Sequence, residues 1–385
     1  MNLEDLVREK RVLVCVGSGG VGKTTTAAAI ALEAAKYGKS ACVLTIDPAK
    51  RLANAMGIDA IGNVPTRVED AKFDSAGIGR PAGQLWAMML DPKRTWDDLV
   101  KRFAPSPEQA QRILANNYYQ QISSALAGSQ EFMAMEKLYQ LHESGKYDLV
   151  VLDTPPTRHA IDFLDAPAKM MGFMDERVLQ VFLAPSKIAG KLGLGMFQSS
   201  LLMLKSLQTI TGFDALREIA DFIESFSGMH AGFRDRARTV EELLRGDTST
   251  FLLVTSPNPP AIDEAKYFFF KLAEYRMPFG GFVMNRVHAD VLAEPGARDS
   301  WLRLAANPAE ILEKLNLPAD SDLASRLVDN FTRAAARGEV DASQISRLRA
   351  ACPGPYLWRS VPAFDTDIHD LSGLSSVGAF LFQAW

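Results

Sequence analysis

Residues 11–26 read RVLVCVGSGGVGKTTT, and this stretch decides the fold. Its first half is a continuous apolar run, the pattern of a strand buried on both faces of a parallel sheet. Its second half, Gly17 to Thr24, satisfies GxxxxGK[ST], and the following TTTAAAIALEAAKYG is rich in helix formers up to a capping Gly38. A buried strand, a glycine-rich turn and a helix in that order place a phosphate-binding loop at the end of the first strand. Glycines let successive backbone N–H groups turn inward toward phosphate oxygens. Gly19, Gly20, Val21, Gly22, Lys23, Thr24 and Thr25 are therefore the candidate nucleotide-binding residues. Lys23 is spaced to reach the β- and γ-phosphates, Thr24 offers its hydroxyl to Mg²⁺, and the helix start adds its positive end.

Working outward, further apolar runs lie at 41–47, 85–90, 148–153, 251–256, 281–285 and 356–361, mostly with helical patterns between them. The clearest of those is 261–276. Strands alternating with helices predict an α/β, doubly wound, mainly parallel sheet. Residues 95–244 are mostly helical in pattern and are read as a helical subdomain set around the 148–153 strand, within a single P-loop domain spanning 1–385. In it, Ser106 to Gln109 has the pattern of a capping box. Six of the fourteen methionines fall between Met170 and Met229, beside helical-period apolar stripes that include Phe226 and Phe233. Such stripes predict core packing; a flexible methionine-rich surface for an apolar client is the sharper alternative.

Two aspartates end strands where open parallel sheets place ligand groups: Asp47 and Asp153. Asp153 is positioned to support Mg²⁺, and Asp47 to orient or deprotonate an attacking water.

Composition narrows the partners. Lys and Arg number 42 against 46 Asp and Glu, a net charge of −4, which argues against a general nucleic-acid binder. No apolar run is long enough for a transmembrane helix, and MNLEDLVREK is too charged for a signal peptide. The expectation is a cytoplasmic protein, with attachment to the membrane periphery only through a partner. Cys15, Cys42 and Cys352 are too few and too scattered for a disulfide framework or a CxxC zinc site.

Three segments together resemble the ArsA/GET3 family of anion-transporting and tail-anchor-targeting ATPases, in the signal-recognition/MinD branch: GSGGVGKTTT at 17–26, TIDPAKRLANAM at 45–56 and DTPPTRHAIDFLDAP at 153–167. GSQEFMAMEKL at 128–138, TSPNPPAIDEA and VMNRV match in position and character, so the likeness spans essentially the whole chain. Within the family it is similar to the type found as one half of actinobacterial paired-ATPase systems. The resemblance implies dimeric, Mg²⁺-dependent ATP hydrolysis. It makes Asp47 the water-activating switch I aspartate and Asp153 the switch II aspartate supporting the metal. It also makes Asn285 an adenine-reading residue, and Pro362 and Phe364 contacts of a loop closing over the base.

Three departures from the family pattern carry weight. Most relatives have lysine at the second loop position, which crosses the dimer to the partner's phosphates; here it is Ser18. A cation supplied in trans contributes about 10³–10⁵ in rate. The expectation is a heterodimer whose lysine-bearing paralogue lends that charge, with a homodimer as the other arrangement. The scattered cysteines argue against an arsenite-binding thiolate cluster, and the zinc-bridging CxxC is missing. His159 in the switch II segment reads as a structural histidine. A hydrophobic client or membrane-protein partner fits the helical region. The rival readings are a catalytically weak regulatory or scaffolding subunit and a ParA/MinD-like positioning ATPase. The acidic balance and the uncharged final helix oppose the latter, and a small-molecule kinase is weaker still.

Overall fold

The computed structural model describes residues 2–46, 51–58, 61–117, 119–120, 129–155, 163–166, 230–318 and 320–383. Its centre is an eight-stranded sheet in the order β3-β4-β2-β5-β1-β6-β7-β8. The strands are β1 (Val12–Val16), β2 (Ser40–Thr45), β3 (Thr66–Arg67), β4 (Gln84–Met89), β5 (Leu149–Asp153), β6 (Ser249–Thr255), β7 (Phe279–Val287) and β8 (Leu357–Pro362). All neighbouring pairs are parallel except β3 with β4. Seven strands fall on the apolar runs read from the sequence. The eighth, β3, is a two-residue edge pairing in a polar stretch, too short for any periodicity to announce it.

The buried strands sort their side chains by parity. On β1, Val12, Val14 and Val16 enter the core on one face, while Leu13 and Cys15 enter the core on the other. The first face is covered by helices Pro92–Phe103, Ser129–Glu143, His230–Arg245 and Pro259–Glu274. Phe233, the last residue of the predicted apolar stripe, is core here, its ring packed on Trp96 and Phe103. The rest of that stripe, and the methionine-rich interval from Met170 to Met229, lie outside the described residues.

The second face holds the phosphate-loop helix, Lys23–Lys36, with helices Leu3–Glu9 and Leu371–Phe382. Ala27, Ala28, Ala29, Ala31, Ala34 and Ala35 are all fully buried, so this helix presents small side chains on most sides. That lets the sheet and helix Leu371–Phe382 both approach it closely, with Gly378 against Glu33. Gly38, at a φ of +88°, turns the chain beyond its end as expected of a capping glycine.

Between β7 and β8 the chain adds helices Ala297–Ala306, Pro308–Lys314 and Ser321–Ala351, the last of 31 residues. His288 ties this addition to β7: its N–H and Nδ1 both meet Asp341 Oδ2, at 2.8 and 2.9 Å.

Candidate nucleotide site

The sheet changes direction at β1. From it the chain runs through helix Lys23–Lys36 to β2 on one side, and later crosses from β5 to β6 on the other. In open α/β sheets ligands bind in the crevice that such a reversal leaves at the carboxyl ends of the strands. The phosphate loop, Gly17 to Gly22, occupies that crevice, and the helix starts directly at Lys23.

Two glycines are required by close approach as well as by backbone angle. A Cβ on Gly17 (φ +153°) would lie 1.9 Å from the carbonyl oxygen of Val254 on β6. One on Gly22 (φ +96°) would lie 2.1 Å from Asn285 Nδ2. The loop is thus seated between the backbone of one neighbouring strand and a side chain of the next.

Beneath it, hydroxyls and one carboxylate converge. Thr24 Oγ1 donates to Asp153 Oδ2 at 2.6 Å, and Thr45 Oγ1 donates to the same oxygen at 2.8 Å. Asp153 is 1% exposed, on the last position of β5, so parallel pairing with β1 and β2 delivers it under the loop. Next to it, the Thr154 hydroxyl donates to Cys15 O at 2.8 Å and holds β5 against β1. The oxygen-only pair Thr24 and Asp153 suits a hard divalent cation such as Mg²⁺. Lys23 is buried, its Nζ donating to Ser18 O at 2.8 Å, so the ammonium is folded back across the loop.

Burial raises the Cys15 thiol pKa, and the Asp153 carboxylate raises it further against the opposing charge of Lys23. Burial raises Cys42 similarly and takes Cys352 to about 11. All three are free and buried, so each is a core thiol with no reactive thiolate character. Among the described residues no group of three or more His, Cys, Asp or Glu side chains is arranged to hold a metal.

The residues expected on the base side divide. Asn285 Nδ2 donates to Val21 O at 2.8 Å. Pro362 ends β8 opposite Val287, and the next N–H, of Ala363, donates to Val287 O. Phe364 is half-buried, with its ring 5.9 Å from that of Phe380. Gly19, Gly20 and Thr25 lie in or next to the loop as expected from their spacing. Asp47 and His159 lie outside the described residues.

Three contacts escape a sequence reading because they join distant segments. Ser18 Oγ donates to Glu264, on helix Pro259–Glu274. Gln130 Nε2 donates to Ile46 O at 3.4 Å, directly before Asp47. Arg236 makes a bidentate pair with Glu136, Nε to Oε2 at 2.6 Å and Nη2 to Oε1 at 2.9 Å, with the guanidinium over the Tyr139 ring. Only the location of Gln130 and Glu136 in the 128–138 segment hinted at any of them.

Comparison with known proteins fits this arrangement. A family model described as anion-transporting ATPase matches residues 10–304. The chain belongs to that family. It is 26% identical over 288 residues to ATPase GET3 of Malassezia globosa, covering 74% of this chain and 76% of that protein. It is 25% identical over 314 residues to the ATPase ASNA1 homolog of Cryptosporidium parvum, covering 81% and 74%. A Halobacterium salinarum protein carrying the name arsenical pump-driving ATPase is 35% identical over 182 residues, 47% of this chain. That match spans only 27% of the halobacterial protein. Among the described residues no helix is long and apolar enough to cross a membrane.

Proposed function

We propose that this anion-transporting-family ATPase binds MgATP in the loop Gly17–Thr24 and hydrolyses it at a subunit interface. The observation that carries the reading is the convergence of Lys23, Thr24 and Asp153 beneath a glycine cradle at the sheet's switch point. Lys23 exchanges its contact with Ser18 O for the β- and γ-phosphates, and the loop N–H groups take up the remaining phosphate oxygens. Thr24 and Asp153 would hold Mg²⁺, which when bound neutralises charge on the phosphate oxygens. Asp47, following β2, orients the attacking water and accepts its proton. Pro362 and Phe364 form the base side of the site, and Asn285 joins the nucleotide site at the loop through Val21 O.

The 95–244 region acts as a helical subdomain whose arrangement follows nucleotide state through the segments after Thr45 and Asp153. It is there that a hydrophobic client or membrane-protein partner docks, with the chain in the cytoplasm and at the membrane periphery only through that partner. Gln130 supports this coupling, since it links helix Ser129–Glu143 to the backbone directly before Asp47.

Ser18 shapes the partner proposal. Its hydroxyl is neutral, buried and engaged by Glu264, so this subunit brings no cation of its own at that position. A heterodimer in which a paralogue supplies a lysine restores the missing cation. The test is ATP turnover by the chain alone and mixed with a lysine-bearing paralogue, with Lys23→Ala and Asp47→Asn in each case. We expect slow turnover alone, a rise of about 10³-fold or more in the mixture, loss of binding in Lys23→Ala, and retained binding without turnover in Asp47→Asn. Full turnover by Asp47→Asn in the mixture would overturn the mechanism, and equally fast turnover without the paralogue would overturn the heterodimer. The same Ser18 contact favours a second reading, a nucleotide-binding regulatory subunit, and single-turnover kinetics in the mixture separates the two.

A further inference from the structure

Asn285 is committed at both ends of its amide. Its Nδ2 donates to Val21 O at 2.8 Å, and its Oδ1 accepts the N–H of Arg286 at 3.0 Å. Arg286 holds a φ of +60°, in the left-handed region that an arginine seldom adopts. From this position the Asn285 side chain reaches the phosphate loop at Val21. Contact there is close enough that Gly22 has no room for a Cβ against the same nitrogen.

The peptide unit between Val21 and Gly22 gives this contact a consequence. In a trans peptide the C=O and the following N–H point in opposite directions. Fixing Val21 O toward Asn285 therefore fixes the Gly22 N–H away from it, one residue before Lys23 and the start of the helix. A loop rich in glycine has many alternative peptide orientations, and only those with N–H groups turned inward bind phosphate.

We infer that Asn285 is a positioning residue for the phosphate loop: it sets the Val21–Gly22 peptide so that the loop meets polyphosphate already in its binding conformation. This rests on the reading of the loop as the triphosphate site, and goes beyond a role confined to the base. Its signature is a loss of affinity that ignores the base. Asn285→Ala removes one hydrogen bond from the loop, which predicts about threefold to tenfold weaker binding. The same factor applies to ATP, GTP and inorganic triphosphate. Asn285→Asp keeps the acceptor for Arg286 but sets a carboxylate oxygen against Val21 O, two acceptors face to face, so its loss exceeds that of alanine.

The experiment is calorimetric titration of the full chain with the Mg²⁺ complexes of ATP, GTP and inorganic triphosphate, wild type beside both variants. Ligand-free thermal unfolding is run alongside to show that each variant is folded. Equal fractional losses across the three ligands, with the ATP-to-GTP preference unchanged, are expected. Weakened ATP binding with unaltered triphosphate binding in either variant would overturn the inference and leave a base contact only. A wild-type chain that binds none of the three would instead overturn the nucleotide-site reading, and the inference with it. Should the alanine variant fail to fold, Asn285→Ser, which is neutral and too short to reach Val21 O, decides in its place.

Discussion

The three left-handed glycines of the phosphate loop offer a graded perturbation, because what an added methyl meets differs at each. At Gly20 (φ +76°) a Cβ would find nothing within 4 Å. Alanine there bears only the left-handed cost of about 1–2 kcal/mol. Reduced freedom of the unfolded chain offsets about 0.4–1 kcal/mol of it. The net loss is then about 1 kcal/mol. At Gly22 the same cost is joined by displacement of the Asn285 amide, 2.1 Å from the new carbon. Losing that hydrogen bond adds about 1 kcal/mol, for a total of about 2 kcal/mol. Gly17 is the severe case. Its φ of +153° belongs to glycine alone, at about 1–3 kcal/mol. The obstacle is the Val254 carbonyl, a backbone atom of β6 in register beside β1, which cannot swing aside as a side chain can. Overpacking adds about 1–3 kcal/mol, and after the same unfolded-chain offset the loss centres on about 3 kcal/mol. Urea unfolding of the three alanine variants, without nucleotide, measures the series. The expected order of loss is Gly20, then Gly22, then Gly17. A Gly17→Ala variant no less stable than Gly20→Ala would refute the seating of the loop against β6.

Two further outcomes follow from charge and burial. Arg236→Met strands the Glu136 carboxylate, which is 0% exposed, and is expected to cost about 3–5 kcal/mol in urea unfolding. Methionine at both positions should recover most of it; a single variant costing under about 1 kcal/mol would contradict the buried pair. His142 has its pKa lowered from 6.5, chiefly by burial and then by the Arg11 charge, with Glu143 opposing. The unfolded chain therefore binds the proton more readily, so stability rests intact above pH 6.5 and falls as pH drops from there toward the folded value. Comparison of wild type with His142→Gln across that window should show the slope flatten in the variant; parallel slopes would remove His142 as its source.

The nucleotide loop was legible in the sequence because its chemistry is local. Glycine spacing, an apolar strand before it and an alanine-rich helix after it all occur within residues 11–38. Asp153 was legible for a related reason, since an acidic residue closing an apolar run marks the carboxyl end of a buried strand. What the sequence left unreadable depends on tertiary pairing. Ser18 and Glu264 are 246 positions apart, and Asn285 reaches back 264 positions to Val21. No periodicity ties such residues together; only the order of strands across the sheet does. The 31-residue helix Ser321–Ala351 went unread for a different reason, as its polar faces weaken the apolar stripe on which helix assignment relies.

The small-residue packing of helix Lys23–Lys36 against helix Leu371–Phe382 has a consequence for how the protein is made. Lys36 and Ser375, joined by a hydrogen bond across that contact, are 339 positions apart. At ordinary synthesis rates the first leaves the ribosome on the order of 20–70 s before the second. Throughout that interval the helix behind the phosphate loop has one alanine face without its cover. The nascent protein thus carries its glycine-rich motif well before the support of that motif is complete. Nucleotide present during synthesis would meet a loop whose support is still incomplete.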